Sequence, residues 1–220
     1  MWTAKKGDER KKEFIETAIE MFIIKGYEKT SINDILKAIN ITKGAFYYYF
    51  DSKEELLDTI VDHLTQEMQA SIETISNKDD LCAIDKFDHI FHAANQLRRD
   101  NASFYRQLYD LQKKDENAYI AKKFMQKVLD VNAKYIQSII EQGIKEGVFN
   151  TTNPQEMAEL YIRLTSLCKE KIATFITDPS FEDNSHAGYK KINDLILFYQ
   201  NTLERALGAP SGTLNFIIND

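Results

Sequence analysis

Between residues 9 and 25 the apolar positions Phe14, Ile15, Ala18, Ile19 and Phe22 follow the i, i+3, i+4, i+7 rhythm of a helix with one buried stripe. Gly26 is placed to end that helix, because glycine accepts the left-handed conformation found just past helix C-termini. A second helix is expected from Ser31, with Asp34 three residues on and Ile32, Ile35 and Leu36 as a short apolar face. It ends near Ile39, and Asn40 suits a tight left-handed turn. Thr42 is placed to cap a third helix over Lys43 to Phe50. Ser52 and Glu55 have capping-box spacing and open a fourth helix over about 53–75. Two short helices joined by a few turn residues and braced by a longer one form a helix-turn-helix.

Beyond Asn77–Asp80, helical patterns recur at about 81–99, 102–113, 116–146, 154–177 and 187–207. Gly143 and Gly147 are expected to close the third of these, and Pro154 sits in the first turn of the next, where proline is tolerated. Residues 178–188 form a polar connection. The segment after Gly208 has no helical period and is either disordered or docked through its apolar LNFII. The expected fold class is all-α, with a three-helix helix-turn-helix module over 1–52, a larger helical domain over 53–207 and a tail over 208–220.

Composition agrees: 3 prolines and 8 glycines leave few places to break helices. No apolar run approaches the roughly 18 residues of a membrane span, and the N-terminus lacks the apolar stretch of a secretion signal, so a cytoplasmic protein is expected. Cys82 and Cys168 lack metal-ligand spacing and are expected to be buried free thiols. The net charge of −6 argues against general nucleic-acid binding, but it is unevenly spread: residues 1–53 carry +2 and the remainder −8. That suits one DNA-facing module attached to a separate acidic body.

The segment TKGAFYYYFDSKEELL, residues 42–57, carries the densest chemistry. At 3.6 residues per turn Lys43 and Tyr47 share one face, while Phe46, Tyr49 and Phe50 turn to another. Together with Gly26-Tyr27, Thr30-Ser31-Ile32 and Asp34-Ile35, the order Ile41-Thr42-Lys43-Gly44, Phe46-Tyr47, Phe50, Lys53 to Leu57 resembles the tetracycline-repressor (TetR) family of bacterial transcription regulators. The likeness covers about residues 10–60. Two departures stand out: Asn40 replaces the usual turn glycine, and Ala45 stands where threonine is common.

The resemblance implies a role for each matching residue. Thr42 caps the recognition helix and touches phosphate, and Lys43 reads a base edge in the major groove. Gly44 permits close approach, Tyr47 reaches phosphate, and Tyr48 reaches phosphate or a thymine methyl. Lys53 and Ser31, at helix starts, bind phosphate. It also implies a homodimer on an inverted-repeat operator and a ligand cavity in the body. The periodic apolar residues of 154–177 (Met157, Leu160, Tyr161, Leu164, Leu167, Cys168) and 187–207 (Tyr189, Ile192, Leu195, Ile196, Tyr199, Leu203) suggest a four-helix dimer seam.

The aromatic-rich body favours a hydrophobic or aromatic small-molecule effector, with Phe91, Asn95, Phe104, Tyr105, Leu108, Phe124, Tyr161, Thr165 and Cys168 as candidate contacts. Asp85, His89 and His92 have a spacing that permits metal ligation, but one helix with no fourth ligand reads as a polar face, so neither metal nor cofactor is expected. The leading expectation is a ligand-released repressor. A DNA-binding regulator without small-molecule effector, controlled by a protein partner or acting as an activator, is the alternative. No nucleophile–base set or phosphate loop supports an enzyme.

Overall fold

The computed structural model describes residues 4–100, 109, 115–176 and 186–217. The helices among them are α1 (Ala4–Lys25), α2 (Ile32–Ala38), α3 (Lys43–Tyr49), α4 (Lys53–Ser76), α5 (Ala83–Asp100), α6 (Ala118–Lys145), α7 (Pro154–Ile176) and α8 (His186–Leu207), with a short 3₁₀ turn, Asp115–Asn117, before α6. The fold is all-α. The first helix begins earlier than its apolar stripe suggested, because the basic segment before Glu9 continues the same spiral. Apart from Tyr109, the helix expected over 102–113 lies outside the described residues, and so do Phe104, Tyr105 and Leu108.

The chain forms two compact units, one of residues 1–66 and 102–127, the other of 67–101 and 128–220. The division expected at 52/53 from the helix-turn-helix pattern therefore differs from the packing, since the first part of α4 and the start of α6 pack with the N-terminal helices. In the first unit, Phe14 meets Phe46 and Phe50 edge-on at 5.6 and 5.7 Å, within a buried cluster that includes Phe22, Ile35, Leu57, Ile60 and Ile120. Phe46 and Phe50 thus point inward, as their helical phase requires.

The local stops behave according to their chemistry. Gly26 takes φ +85° and Asn40 φ +52°, both left-handed. Ser31 accepts the Asp34 amide at 3.1 Å while the Asp34 carboxylate accepts the Ser31 amide at 2.9 Å, a complete capping box. Ser52 caps the Glu55 amide at 3.0 Å, but Glu55 returns its carboxylate to the Asp51 amide, one residue earlier than the motif predicts. Thr42 holds the N-cap position of α3 with extended backbone and makes no side-chain capping bond, so the expected cap is absent.

A long-range clasp completes this unit. Asn117 is fully buried; its amide oxygen accepts the Tyr27 N–H at 2.8 Å and its amide nitrogen donates to Phe22 O at 3.0 Å. One side chain from the turn before α6 therefore satisfies backbone groups at the end of α1. α4 and α6 also face each other through a parallel charge ladder. Lys123 pairs with Asp58 at 2.6 Å and Glu54 at 3.3 Å, and Lys127 pairs with Asp62 at 2.7 Å. Burial alone would lower the Lys123 ammonium, but its bonds to the two carboxylates outweigh that and hold it above the ordinary lysine value.

In the second unit, Phe87 packs on Phe149 and Tyr161 at 5.8 and 4.7 Å. Gly143 lies inside α6 and does not close it: any Cβ there would overlap the ring of Phe149. Gly147, at φ +75°, makes the turn. The buried Lys86 donates to Ser76 O and Gln142 Oε1, both at 2.8 Å, tying the end of α4 to α6. Of the two thiols, Cys168 is buried, whereas Cys82 is exposed at the start of α5, contrary to expectation.

The tail after α8 is docked. Leu214 and Phe216 are buried, and Phe216 stacks on Phe91 with centroids 4.4 Å apart and planes 11° from parallel. The buried Glu204 carboxylate accepts the Gly212 and Leu214 amides at 3.0 and 2.8 Å. Gln200 accepts the Phe216 amide at 3.0 Å, and Asp88 accepts that of Asn215 at 2.8 Å. His92 Nε2 lies 3.0 Å from Asn215 O. Asp88 and His92 of α5 therefore hold the tail.

Candidate nucleic-acid interface and effector cavity

The outward side of α3 is built by what the inward side requires. Burying Phe46 and Phe50 against Phe14 leaves Lys43, Gly44, Tyr47 and Tyr48 exposed, with Tyr47 47% and Tyr48 76% accessible. Half-buried Tyr49 lies between, its ring 5.9 Å from Phe14. Each still packs one edge within the helix, Tyr47 on Phe46 at 5.5 Å and Tyr48 on Tyr49 at 4.9 Å. The Lys43 ammonium stands 5.7 Å from the centre of the Tyr47 ring, so cation and hydroxyl-bearing aromatic are held as a pair.

Gly44 is informative because a Cβ there would meet nothing within 4 Å. No internal packing calls for glycine, and in a helix it costs about 1 kcal/mol relative to alanine.

The remaining expected contacts divide. Thr42 is exposed, with its hydroxyl not used for capping. Ser31 is exposed, but its hydroxyl is shared between the Asp34 amide and carboxylate. Those bonds from Ser31, backbone first, hold the Asp34 carboxyl down at about 2. Lys53 faces inward: its ammonium donates to Tyr27 O at 2.8 Å and Thr30 O at 3.0 Å and lies 4.1 Å from the Tyr27 ring centre. That side chain anchors the α1–α2 connection.

A cavity of about 50 Å³ lies wholly within the second unit, bounded by α4, α5, α6 and α7 residues including Met68, Ile72, Phe91, Asn132, Ile136, Tyr161 and Thr165. Of the nine residues expected at an effector site, Phe91, Tyr161 and Thr165 line it. Asn95 and Cys168 are buried in the same unit without lining it. Phe124 packs against the core of the first unit. The Thr165 hydroxyl donates to Tyr161 O at 2.9 Å within its own helix. Asn132 was missed, because an asparagine in the polar-apolar alternation of α6 carries no local sign of facing a cavity.

Comparison with known proteins fixes the class. Residues 14–60 match the family model described as bacterial regulatory proteins, tetR family. The HTH-type transcriptional regulator YhgD of Bacillus subtilis is 30% identical over 166 residues, covering 71% of this chain and 82% of the relative. The negative regulator IcaR of the biofilm operon icaADBC in Staphylococcus epidermidis is 46% identical over 46 residues, 21% of this chain and 25% of IcaR. The crystal structure of a TetR-family regulator from Syntrophomonas wolfei superposes with a TM-score of 0.64 at 21% identity, covering 90% of this chain and 96% of that one. The chain belongs to the TetR family and is a DNA-binding transcriptional regulator. Among the described residues no helix is long and apolar enough to cross a membrane.

Proposed function

We propose that the protein is a homodimeric repressor that binds an inverted-repeat operator through α3 and is released by a small apolar effector held in the second unit. The observation that carries the DNA contact is the outward face of α3, where Lys43 and Tyr47 flank a glycine with no packing reason to be there. In this reading Lys43 reads base edges, Gly44 allows close approach, and Tyr47, Tyr48 and Thr42 bind phosphate or a thymine methyl. Ser31 adds a phosphate contact only by giving up part of its bond to Asp34. Lys53 contributes by positioning. The expected site of action is cytoplasmic DNA.

Support for a dimer comes from large apolar side chains left exposed on α7 and α8: Leu160, Leu167, Leu197 and Phe198, the last 64% accessible. The seam expected from periodicity differs, since Met157, Tyr161, Cys168, Ile192, Ile196, Tyr199 and Leu203 are buried within the chain itself. Pairing the exposed set with its symmetry mate makes a four-helix seam, and a twofold dimer requires a twofold operator. Repression follows the IcaR relative, a negative regulator whose likeness lies in the same module. Helices α4 and α6 each contribute residues to both units, so an effector held among them acts on segments that continue into the DNA-binding unit.

The test is DNA binding to a twofold-symmetric fragment upstream of the protein's own gene. Lys43→Ala is expected to reduce discrimination between operator and unrelated DNA by about tenfold or more, as loss of a base-edge contact does. Phe198→Asp is expected to shift the protein towards monomer in sedimentation and weaken operator binding with it. Unchanged discrimination in Lys43→Ala together with unchanged affinity in Tyr47→Phe would remove α3 as the reading element.

A further inference from the structure

We propose that Asn132 is the polar anchor of the effector cavity, and that its ligand is a compact apolar ring compound presenting one N–H or O–H donor. The proposal rests on the effector reading of this cavity. Asn132 is 2% exposed and lines the cavity from α6. Its amide nitrogen donates to Val128 O at 2.9 Å, while its amide oxygen has no hydrogen-bond partner among the described residues. The orientation is fixed by that bond, because the reverse would set two carbonyl oxygens against each other. The unsatisfied group is therefore an acceptor, and what it lacks is a donor.

Ser166 and Lys169 also line the cavity, but no described donor bonds the Asn132 oxygen. The walls beside it are aliphatic and aromatic, with Ile72, Phe91, Ile136 and Tyr161 among them, and Thr165 spends its hydroxyl on Tyr161 O. A buried acceptor without a partner costs free energy that a bound donor recovers. An apolar body with a single donor satisfies both wall and anchor. The cavity is smaller than the roughly 150 Å³ space known to admit benzene, so a ring enters by displacing a wall side chain. Met68, unbranched and half-buried, is the one most easily moved.

The experiment compares indole with benzofuran, which has the same shape but an oxygen in place of the N–H, by calorimetry and thermal shift on the full chain. Indole is expected to bind about tenfold more tightly, and Asn132→Leu is expected to abolish that preference while leaving the ligand-free melting temperature unchanged or raised. Equal binding of the two rings, as when a water satisfies the amide oxygen, overturns the anchor and leaves the cavity reading intact. A preference that survives Asn132→Leu, or a ligand-free variant that melts several degrees lower, also overturns it, the latter by making the amide a structural group. Binding of neither ring to the wild type removes the cavity reading and this inference with it.

Discussion

Lys43 and Lys53 stand at the starts of successive helices and have the same charge, yet the structure gives them opposite orientations. Lys43 lies on the outward face of α3 beside Tyr47, while Lys53 turns back onto Tyr27 O and Thr30 O. Lys53→Met is therefore expected to destabilise the module by about 1–3 kcal/mol, the cost of leaving the Thr30 carbonyl without its donor while Tyr27 O keeps only the Thr30 N–H. Its DNA affinity should fall alike on all sequences, with a lower melting temperature. An unchanged melting temperature with a reduced salt dependence of binding would assign it to phosphate. Asp34 gives a pH test. Its carboxyl is held at about 2 against an ordinary 3.8, so the ionised form is the one favoured by folding. The stabilisation is fully present above pH 3.8 and is lost as pH falls from there towards 2. An NMR titration should place the Asp34 midpoint near 2 in the wild type and raise it only part of the way to 3.8 in Ser31→Ala, which keeps the backbone N–H that contributes most.

At the scale of elements, what ends a helix and what packs against it proved to be separate matters. Gly26, Asn40 and Gly147 have the positive φ that their places in turns suggested. Gly143, read along the chain, looked like another stop, yet it is a helical residue kept small by the Phe149 ring. Gly143→Ala, which local propensity alone would favour, is expected to destabilise the second unit by about 1–3 kcal/mol through overpacking. Denaturant unfolding would measure it, and a stabilised variant would show that Phe149 can move away freely. The module's inward aromatics were legible because helical phase assigns Phe46 and Phe50 to the same side. The clasp by Asn117 was not, because its partners lie 90 and 95 residues earlier in the chain.

For the molecule as a whole, the tail is the largest addition to what periodicity could say. LNFII has no helical rhythm, and its binding groups, Gln200, Glu204, Asp88 and Phe91, are scattered over α5 and α8. Phe216 stacks on a residue that lines the cavity, so the tail braces one wall of it. Phe216→Ala is expected to cost about 3–5 kcal/mol, the usual loss for a buried phenylalanine. Thermal or denaturant unfolding should show the loss, and hydrogen exchange should report weaker protection of α5 around Phe91. A change below about 1 kcal/mol would show that the tail is not an integral part of the core.

By itself the sequence determined the helical class, the helix-turn-helix with its left-handed turn at Asn40, and the division of α3 into an inward aromatic side and an outward Lys43–Tyr47 side. These rest on interactions within about four residues, where helical phase, caps and glycine conformation act, and such spacing is written directly in the chain. Only the tertiary structure decided that Lys53 turns inward, that Asn117 fastens α1, that Leu197 and Phe198 stay exposed on α8 while Ile192, Ile196 and Tyr199 are buried, and that Asn132 keeps a buried amide oxygen without a partner. Each of these depends on which distant segment arrives beside the residue, and burial changes the worth of a polar group only once that neighbour is in place.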